Sequence, residues 1–178
     1  MKKLLLLTII PFIVSGMGFA PPKEDTAVTK GNLSITSPAF NDNGTIPVRY
    51  TVDGEGLIPP LSFTGAPKDA KSLALVLEDP DAPRGTFVHW VIYNIAPDAA
   101  GIGEGSSPAG ASFGRNSIGK AEYICPSPPP GKLHHYIFTL YALDAELDRG
   151  GNYDRNGLSK AMDGHILDQA RLTGTYGR

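Results

Sequence analysis

Two short segments of this chain concentrate the side chains that can do chemistry. The first, Asp79-Pro80-Asp81-Ala82-Pro83, places two carboxylates between rigid prolines and is followed by His89. The second, residues 126–136, combines a proline-rich loop with His134 and Tyr136. A carboxylate beside an imidazole fixes the tautomer of the ring and favours its charged form. If the fold brings the segments together, their histidines and phenol can donate hydrogen bonds to the oxygens of a small anion.

The same residues could also form a metal site or the active site of a hydrolase. Asp79, His89 and His134 are a legitimate ligand set for zinc or iron, although no compact motif such as H-E-x-x-H supports a metal site. A hydrolase could use this set with or without a metal, whereas a serine nucleophile is not predicted because G-x-S-x-G is absent. No side chain is evidently placed to attack a bound anion. We therefore expect a binding protein rather than an enzyme, with no cofactor.

Strand-like patterns flank both segments. Residues 72–77, 87–95 and 133–143 are predicted strands, and residues 46–52 a further one. Because side chains alternate along a strand, residue 89 is expected to share a face with 87, 91, 93 and 95, and Trp90 to point the other way into the core. By the same rule, residues 134 and 136 share one face and His135 points away. Residues 97–122 are rich in Gly, Ser and Ala and predict a long loop, of the kind that is usually functional or disordered.

The C-terminal part has a different pattern. Leu158, Met162, Ile166 and Ala170 recur at helical spacing and predict a helix of about three to four turns, capped by Asn156 or Ser159 and carrying a packing histidine, residue 165. Short strands separated by Gly/Pro turns, followed by one helix, predict a mainly β fold. The expected architecture is a two-sheet antiparallel β-sandwich with a C-terminal α-helix, in a single domain over residues 32–178.

The N-terminal residues have the pattern of an export signal. Two lysines after Met1 precede an apolar run over residues 4–14, and small residues follow up to Ala20. This predicts a signal peptide over residues 1–20 and a polar, flexible leader over 21–31. Pro21 makes cleavage after Ala20 awkward, so cleavage after Gly18 or an uncleaved anchor stays open. No cysteine lies in this region, so a lipid anchor is not predicted. The expected location is periplasmic or extracellular, with no membrane span after processing.

Charge and cysteine content narrow the expected partners. Without the signal, the chain has 14 basic and 18 acidic residues, net −4, and no basic run. Nucleic acid is therefore a poor partner. The single cysteine, Cys125, cannot form an internal disulfide, and its thiol is either inert or reactive. The predicted partner is a small phosphate-type anion or phosphorylated head group. Modulation or inhibition of a partner protein is a candidate role for such an anion-binding protein. A module that binds a protein partner around residues 97–122, with a vestigial pocket, and a homodimer are further candidates.

The motifs together resemble the phosphatidylethanolamine-binding protein family, in its bacterial Raf kinase inhibitor-like branch. The matching stretches cover nearly the whole chain after the leader: Thr36-Ser37-Pro38-Ala39-Phe40, Ile46-Pro47-Val48-Arg49-Tyr50, Asp79-Pro80-Asp81-Ala82-Pro83, His89-Trp90, Gly114-Arg115-Asn116, Pro128-Pro129-Pro130-Gly131, His134-His135-Tyr136 and Gly164-His165-Ile166-Leu167. The D-P-D-A-P motif and the P-P-x-G…H-x-Y motif at this separation are highly specific.

This resemblance implies a two-sheet sandwich with an anion pocket at one end, which in the family binds phosphate and phosphorylated head groups. It places Asp79, His89, His134 and Tyr136 in the pocket, and Asp81, Pro83 and Pro129 on its rim. Both histidines and the phenol are expected to donate to the anion, while Asp79 orients a histidine. Where family members usually have Gly-Gly-Pro, this chain has Ile124-Cys125-Pro126. Side chains there are expected to narrow or reshape the pocket, with Cys125 at its edge.

Overall fold

Residues 32–178 are described by a computed structural model, and the predicted signal peptide and leader lie outside the described residues. Strands dominate this part of the chain. The elements follow in the order β1 (Ser34–Thr36), β2 (Gly44–Thr45), a 3-10 turn (Val48–Tyr50), β3 (Leu61–Thr64), β4 (Ser72–Asp79), β5 (Phe87–Ile95), β6 (Gly101–Ile102), β7 (Ser112–Phe113), β8 (Leu133–Leu143), α1 (Arg155–Met162) and β9 (Ile166–Gly177).

The strands form two sheets. The larger has the order β2-β9-β8-β4-β5-β7 and the smaller the order β1-β3-β6. All pairings are antiparallel except that of β2 with β9, which involves two residues of each strand. The predicted mainly β, two-sheet architecture is thus confirmed. None of the helices in residues 32–178 has the length and apolar character needed to cross a membrane.

The main core lies between the sheets. Leucines 73, 75 and 77 of β4 alternate onto the inner face of the large sheet, next to Phe138 and Leu140 of β8. They pack against side chains of the small sheet, among them Ile35 and Phe63. Almost all these side chains are fully buried. The alternation that the sequence shows in β4 and β8 therefore places one whole face of each strand in this core.

The outer face of the large sheet is covered in part by α1. Leu158 and Met162 of the helix pack on a second apolar cluster that includes Val76 and Tyr141. Asp154 caps the N-terminus of the helix, because its Oδ1 accepts a hydrogen bond of 2.7 Å from the backbone N–H of Gly157. The predicted caps, at positions 156 and 159, were therefore wrong.

The predicted C-terminal helix is also shorter than expected. It ends at Met162, and Gly164 at φ +77° turns the chain into β9, which contains Ile166 and Ala170. Strand β9 pairs along the full length of β8, and this long ladder outweighs the local helical spacing. His165 lies in the exposed connection, where its Nδ1 is 2.8 Å from an oxygen of Asp144, so it is not a packing histidine.

Two other local predictions differ from the structure. Residues 46–52 form no strand: Pro47 lacks an N–H, and its carbonyl accepts from Tyr50 to start the 3-10 turn. The long connection 97–122 contains the short strands β6 and β7, which extend both sheets at their edges. The strands predicted at 72–77, 87–95 and 133–143 are confirmed.

Strand β5 contains an irregularity that matters for the site. Its register with β4 pairs Leu77 with Trp90 but Glu78 with Val88, which leaves His89 as the extra residue of a β-bulge. Trp90 consequently shares the inner face with Leu77, while Val91 and Tyr93 pack on the outer cluster. Trp90 is in the core as predicted. The expectation that residue 89 shares a face with 91 and 93 was wrong, because simple alternation does not hold across a bulge.

Candidate functional site

A cavity of about 300 Å³ opens where three neighbouring strands of the large sheet meet one end of the sandwich. Strand β4 ends there, and β5 and β8 begin there, because both run antiparallel to β4. Two proline-containing loops, after β4 and before β8, form the rest of the wall. The lining residues are Asp79, Ala82, Pro83, Phe87, His89, Ile124, Ser127, Pro129 and His134. The fold therefore joins the two segments that the sequence singled out.

Asp79 and His134 form a buried pair at the base of this cavity. His134 Nδ1 lies 2.7 Å from Asp79 Oδ2, and the two side chains are 2% and 6% exposed. A carboxylate can only accept, so Nδ1 carries the hydrogen of this bond. The other carboxylate oxygen accepts from the backbone N–H of Asp81 at 2.9 Å. Asp79 thus fixes both the ring of His134 and the first turn of the D-P-D-A-P loop.

His89 is held by the backbone of the opposite loop. Its Nδ1 lies 2.9 Å from the carbonyl oxygen of Ile124, and the Ile124 N–H donates to the His89 carbonyl. A carbonyl only accepts, so Nδ1 again carries the hydrogen. Burial lowers the pKa of His89 below its usual value, an effect that the Ile124 carbonyl only partly opposes. His89 is therefore a neutral imidazole at pH 7.

The loop that holds His89 is itself built around Asn116. This side chain is 5% exposed. Its Oδ1 accepts from the amides of Ile118 and Lys120, at 3.1 and 3.0 Å, and its Nδ2 donates to the Glu122 carbonyl at 3.0 Å. The side-chain amide of Asn116 therefore stabilises the turn that positions the Ile124 carbonyl next to His89.

Two phenols lie behind the cavity. The Tyr136 ring stands edge-on to His89, with centroids 5.3 Å apart. The hydroxyls of Tyr136 and Tyr123 are buried and have no hydrogen-bond partner among residues 32–178, as is also true of His134 Nε2. Burial raises the pKa of both phenols, so both keep their protons. A buried polar atom without a partner is costly, and such atoms next to a cavity are typical of a binding site.

Asp81 has a different role from Asp79. Its Oδ2 lies 2.8 Å from both the backbone nitrogen and the Nδ1 of His135, and the two side chains are 40% and 48% exposed. The hydrogen bonds from His135 lower the pKa of Asp81. This second Asp–His pair lies outside the cavity and ties the D-P-D-A-P loop to the start of β8.

The predicted site residues fall into two groups. Asp79, Pro83, His89, Pro129 and His134 line the cavity. The other three are not among the lining residues: Tyr136 packs edge-on against His89, Asp81 forms an exposed pair with His135, and Cys125 is a half-buried free thiol.

Four lining residues were not among the predicted ligand contacts: Ala82, Phe87, Ile124 and Ser127. Phe87 stacks edge-on against His89 with ring centroids 4.8 Å apart, which its position two residues earlier in β5 could have indicated. Of the two residues expected to narrow or reshape the pocket, Ile124 lines the cavity and Cys125 is not among the lining residues. Burial raises the pKa of the Cys125 thiol, which favours an inert thiol.

The arrangement does not resemble a metal centre. No group of three or more His, Cys, Asp or Glu side chains within residues 32–178 is arranged to hold a metal ion. Asp79 is already hydrogen-bonded to His134, and His89 Nδ1 is engaged by a carbonyl. Each of the two imidazoles has one nitrogen left for a ligand, and Tyr136 has a hydroxyl.

Comparison with known protein families identifies the family of this chain. The family model for phosphatidylethanolamine-binding proteins matches residues 36–177. The chain belongs to the phosphatidylethanolamine-binding protein family. The match includes every lining residue of the cavity.

Individual relatives agree with this family assignment. The UPF0098 protein of Methanothermobacter thermautotrophicus is 47% identical over 151 residues, covering 82% of this chain and 99% of that protein. The crystal structure of CT736 from Chlamydia trachomatis, provisionally assigned as a phosphatidylethanolamine-binding protein homologue, superposes with a TM-score of 0.79 at 40% identity, over 82% of this chain and 97% of the other. This member of the family therefore falls in its UPF0098 group.

One relative bears on cellular location. A Mycobacterium tuberculosis protein with the provisional name lipoprotein LppC is 40% identical over 145 residues, covering 81% of this chain and 72% of that protein. The family thus includes a protein named for attachment to a lipid.

Proposed function

We propose that this protein binds a small phosphate-type anion, free or as part of a phosphorylated head group, in the cavity between Asp79, His89 and His134. The observation that carries the proposal is a buried polar atom of a lining residue that has no partner among residues 32–178, the Nε2 of His134. In a folded protein such atoms normally have a partner, and a ligand oxygen would supply it.

The dimensions of the cavity favour a small ligand. About 300 Å³ is at the lower end of ordinary ligand pockets. Two imidazoles and one phenol suit a tetrahedral group with several oxygens better than a planar apolar ligand. The family is named for a phosphorylated lipid, which is consistent with this chemistry.

Phosphate is expected to bind more tightly at pH 6 than at pH 8. His89 is neutral in the free protein because burial lowers its pKa, so adding an anion next to two imidazoles favours proton uptake. Affinity linked to proton uptake rises as pH falls, by roughly ten- to a hundredfold over these two pH units. Calorimetric titration of the protein with inorganic phosphate at both pH values measures this.

The matched variants for this titration are His134→Gln and His165→Gln. The first removes the imidazole at the base of the cavity. The second removes an exposed imidazole, also paired with a carboxylate, at the other end of β8. We expect phosphate binding to be lost only in the first. Equal binding in both variants, or no binding by the folded unmodified protein at pH 6, would refute the proposed site.

We propose further that the protein is exported to the periplasm or the extracellular space. The lysines at the N-terminus, the apolar run and the small residues before Pro21 support this, as does the name of the mycobacterial relative. Expression of the full chain in a bacterial host, followed by N-terminal sequencing of each fraction, is expected to give an exported protein that starts at Phe19 or Pro21. A chain that keeps Met1 and stays in the cytosol would contradict export.

A further inference from the structure

Helix α1 covers only part of the outer face of the large sheet. Leu158 of the helix packs on Val76, whereas Glu78 and Thr139, on the same face of β4 and β8, border a cavity of about 180 Å³. A second cavity, of about 250 Å³, adjoins the first at Arg155, the first residue of α1, which lines both. Neither cavity shares a lining residue with the candidate phosphate site.

Three arginines line these two cavities. Arg115 borders the larger cavity, Arg171 the smaller one and Arg155 both, and we call this surface the arginine groove. Arg115 and Arg171 are exposed. Neither belongs to the ion pairs formed within residues 32–178, in which the arginines are those at positions 49, 149, 155 and 178. Two guanidinium groups in the groove are therefore available to an outside partner.

The third guanidinium, that of Arg155, is held in one orientation by Glu78. Its Nε lies 3.1 Å from Glu78 Oε1, and the two side chains are only 28% and 19% exposed. Because Nε makes this contact, Nη1 and Nη2 of Arg155 have no hydrogen-bond partner within the described part of the chain. These two groups form the fork that binds both oxygens of a carboxylate. Glu78 thus orients the fork without occupying it.

The other polar groups of the groove also suit an anion. Among residues 32–178, the acidic side chains that line the two cavities are Glu78 and Asp154, and Asp154 is engaged as the cap of α1. Three guanidiniums against two carboxylates leave a positive charge, although the whole chain has a net charge of −2. Ser117 Oγ accepts from the Val88 amide at 2.8 Å, so its hydroxyl hydrogen is left for another acceptor.

We infer that the arginine groove binds an acidic segment of a partner protein, which places one carboxylate side chain in each of the two adjoining cavities. Each cavity is smaller than the range of about 300–1,000 Å³ that is usual for small-molecule pockets, but it can hold a single side chain. Arg155 lies between the two carboxylates, and Arg115 and Arg171 pair with them at the two ends. This inference does not depend on phosphate binding, because the two sites share no residue.

The test measures the fluorescence anisotropy of a labelled hexaglutamate peptide as the protein is added. Hexaglutamine with the same label is the uncharged probe. We expect hexaglutamate to bind at low ionic strength and hexaglutamine not to bind. We also expect the hexaglutamate affinity to fall at about 0.15 M salt, because salt screens the charges of exposed side chains.

Two double variants of equal charge show where the peptide binds. Arg115→Gln with Arg171→Gln removes two positive charges from the groove, and Lys68→Gln with Lys71→Gln removes two exposed positive charges elsewhere. We expect the first pair to weaken hexaglutamate binding by about tenfold and the second by less than about twofold. Because all four side chains are exposed, the fold is expected to persist, which circular dichroism checks.

Arg155→Lys tests the fork separately from the charge. Lysine keeps a positive charge next to Glu78 but lacks the planar pair of terminal amino groups. We expect this variant to bind hexaglutamate about threefold more weakly or worse. An unchanged affinity would contradict the proposed place of Arg155 between two carboxylates.

The remaining outcomes are equally decisive. Equal hexaglutamate affinity in the two double variants, or no binding by the unmodified protein at low ionic strength, would overturn the inference. Displacement of the peptide by an equal concentration of citrate would assign the groove to a small carboxylate and overturn its assignment to a protein segment. His134→Gln is expected to lose phosphate and to keep hexaglutamate, so failure of either proposal is distinguishable from failure of the other.

Discussion

Replacing Asp79 by alanine is expected to abolish phosphate binding and to lower the free energy of unfolding by about 2–4 kcal/mol. The substitution leaves Nδ1 of the buried His134 without its acceptor at 2.7 Å and removes the acceptor for the Asp81 amide. Urea denaturation followed by circular dichroism measures the stability, and calorimetry with inorganic phosphate measures the binding.

Asp81→Ala is the matched control for this measurement. It breaks an Asp–His pair of nearly the same length, 2.8 Å, in the same loop, but both of its side chains are largely exposed. Solvent-exposed pairs contribute little, so we expect a loss of at most about 1 kcal/mol. Equal losses of unfolding free energy in the two alanine variants would show that burial does not determine how much the Asp79–His134 pair contributes to stability.

Asn116→Ala is expected to lower the free energy of unfolding by about 2–3 kcal/mol and to weaken phosphate binding by roughly tenfold. The substitution removes three hydrogen bonds that close the turn over residues 116–122, and leaves two amides and a carbonyl without their partner. The effect on binding follows because that turn delivers the Ile124 carbonyl, which holds His89. Denaturant unfolding and phosphate titration measure the two effects.

The control for this residue is Asn156→Ala. Asn156 is an exposed asparagine at the start of α1, and its side chain makes no hydrogen bond to other described residues. We expect it to change stability by about 0.5 kcal/mol or less and to leave binding unchanged. A loss of stability without any loss of phosphate affinity in the Asn116 variant would show that His89 does not depend on this turn.

The strands next to the site were predictable because their patterns are strong. Strand β4 is a short apolar run that is buried on both faces, and β8 alternates exposed with buried residues at its start. These two strands place Asp79, His134 and Tyr136 at one end of the sheet. The direction of His135, away from Tyr136, also followed from alternation. Such local patterns are reliable where burial on one face determines the register.

The C-terminal residues show where such patterns fail. Ile166 and Ala170 continue the helical spacing of Leu158 and Met162, yet they belong to β9. The helical spacing of these four residues carries no information about β8, whose free edge pairs with residues 166–177 in the folded protein. Backbone hydrogen bonds along that edge stabilise a strand whose own sequence is ambiguous.

Local patterns were enough to predict the mainly β fold, the two segments with the polar side chains, and five of the residues that line the cavity. They did not indicate that Asp79 pairs with His134, that a bulge in β5 orients His89 toward the cavity, or that Ile124 rather than Cys125 lines it. The hydrogen bonds of the two histidines join residues 35 and 55 positions apart, and the bulge depends on the pairing of β5 with β4, so none of these features has a local signature. The chemistry of the site follows from them, because each contact fixes which ring nitrogen is left for the ligand.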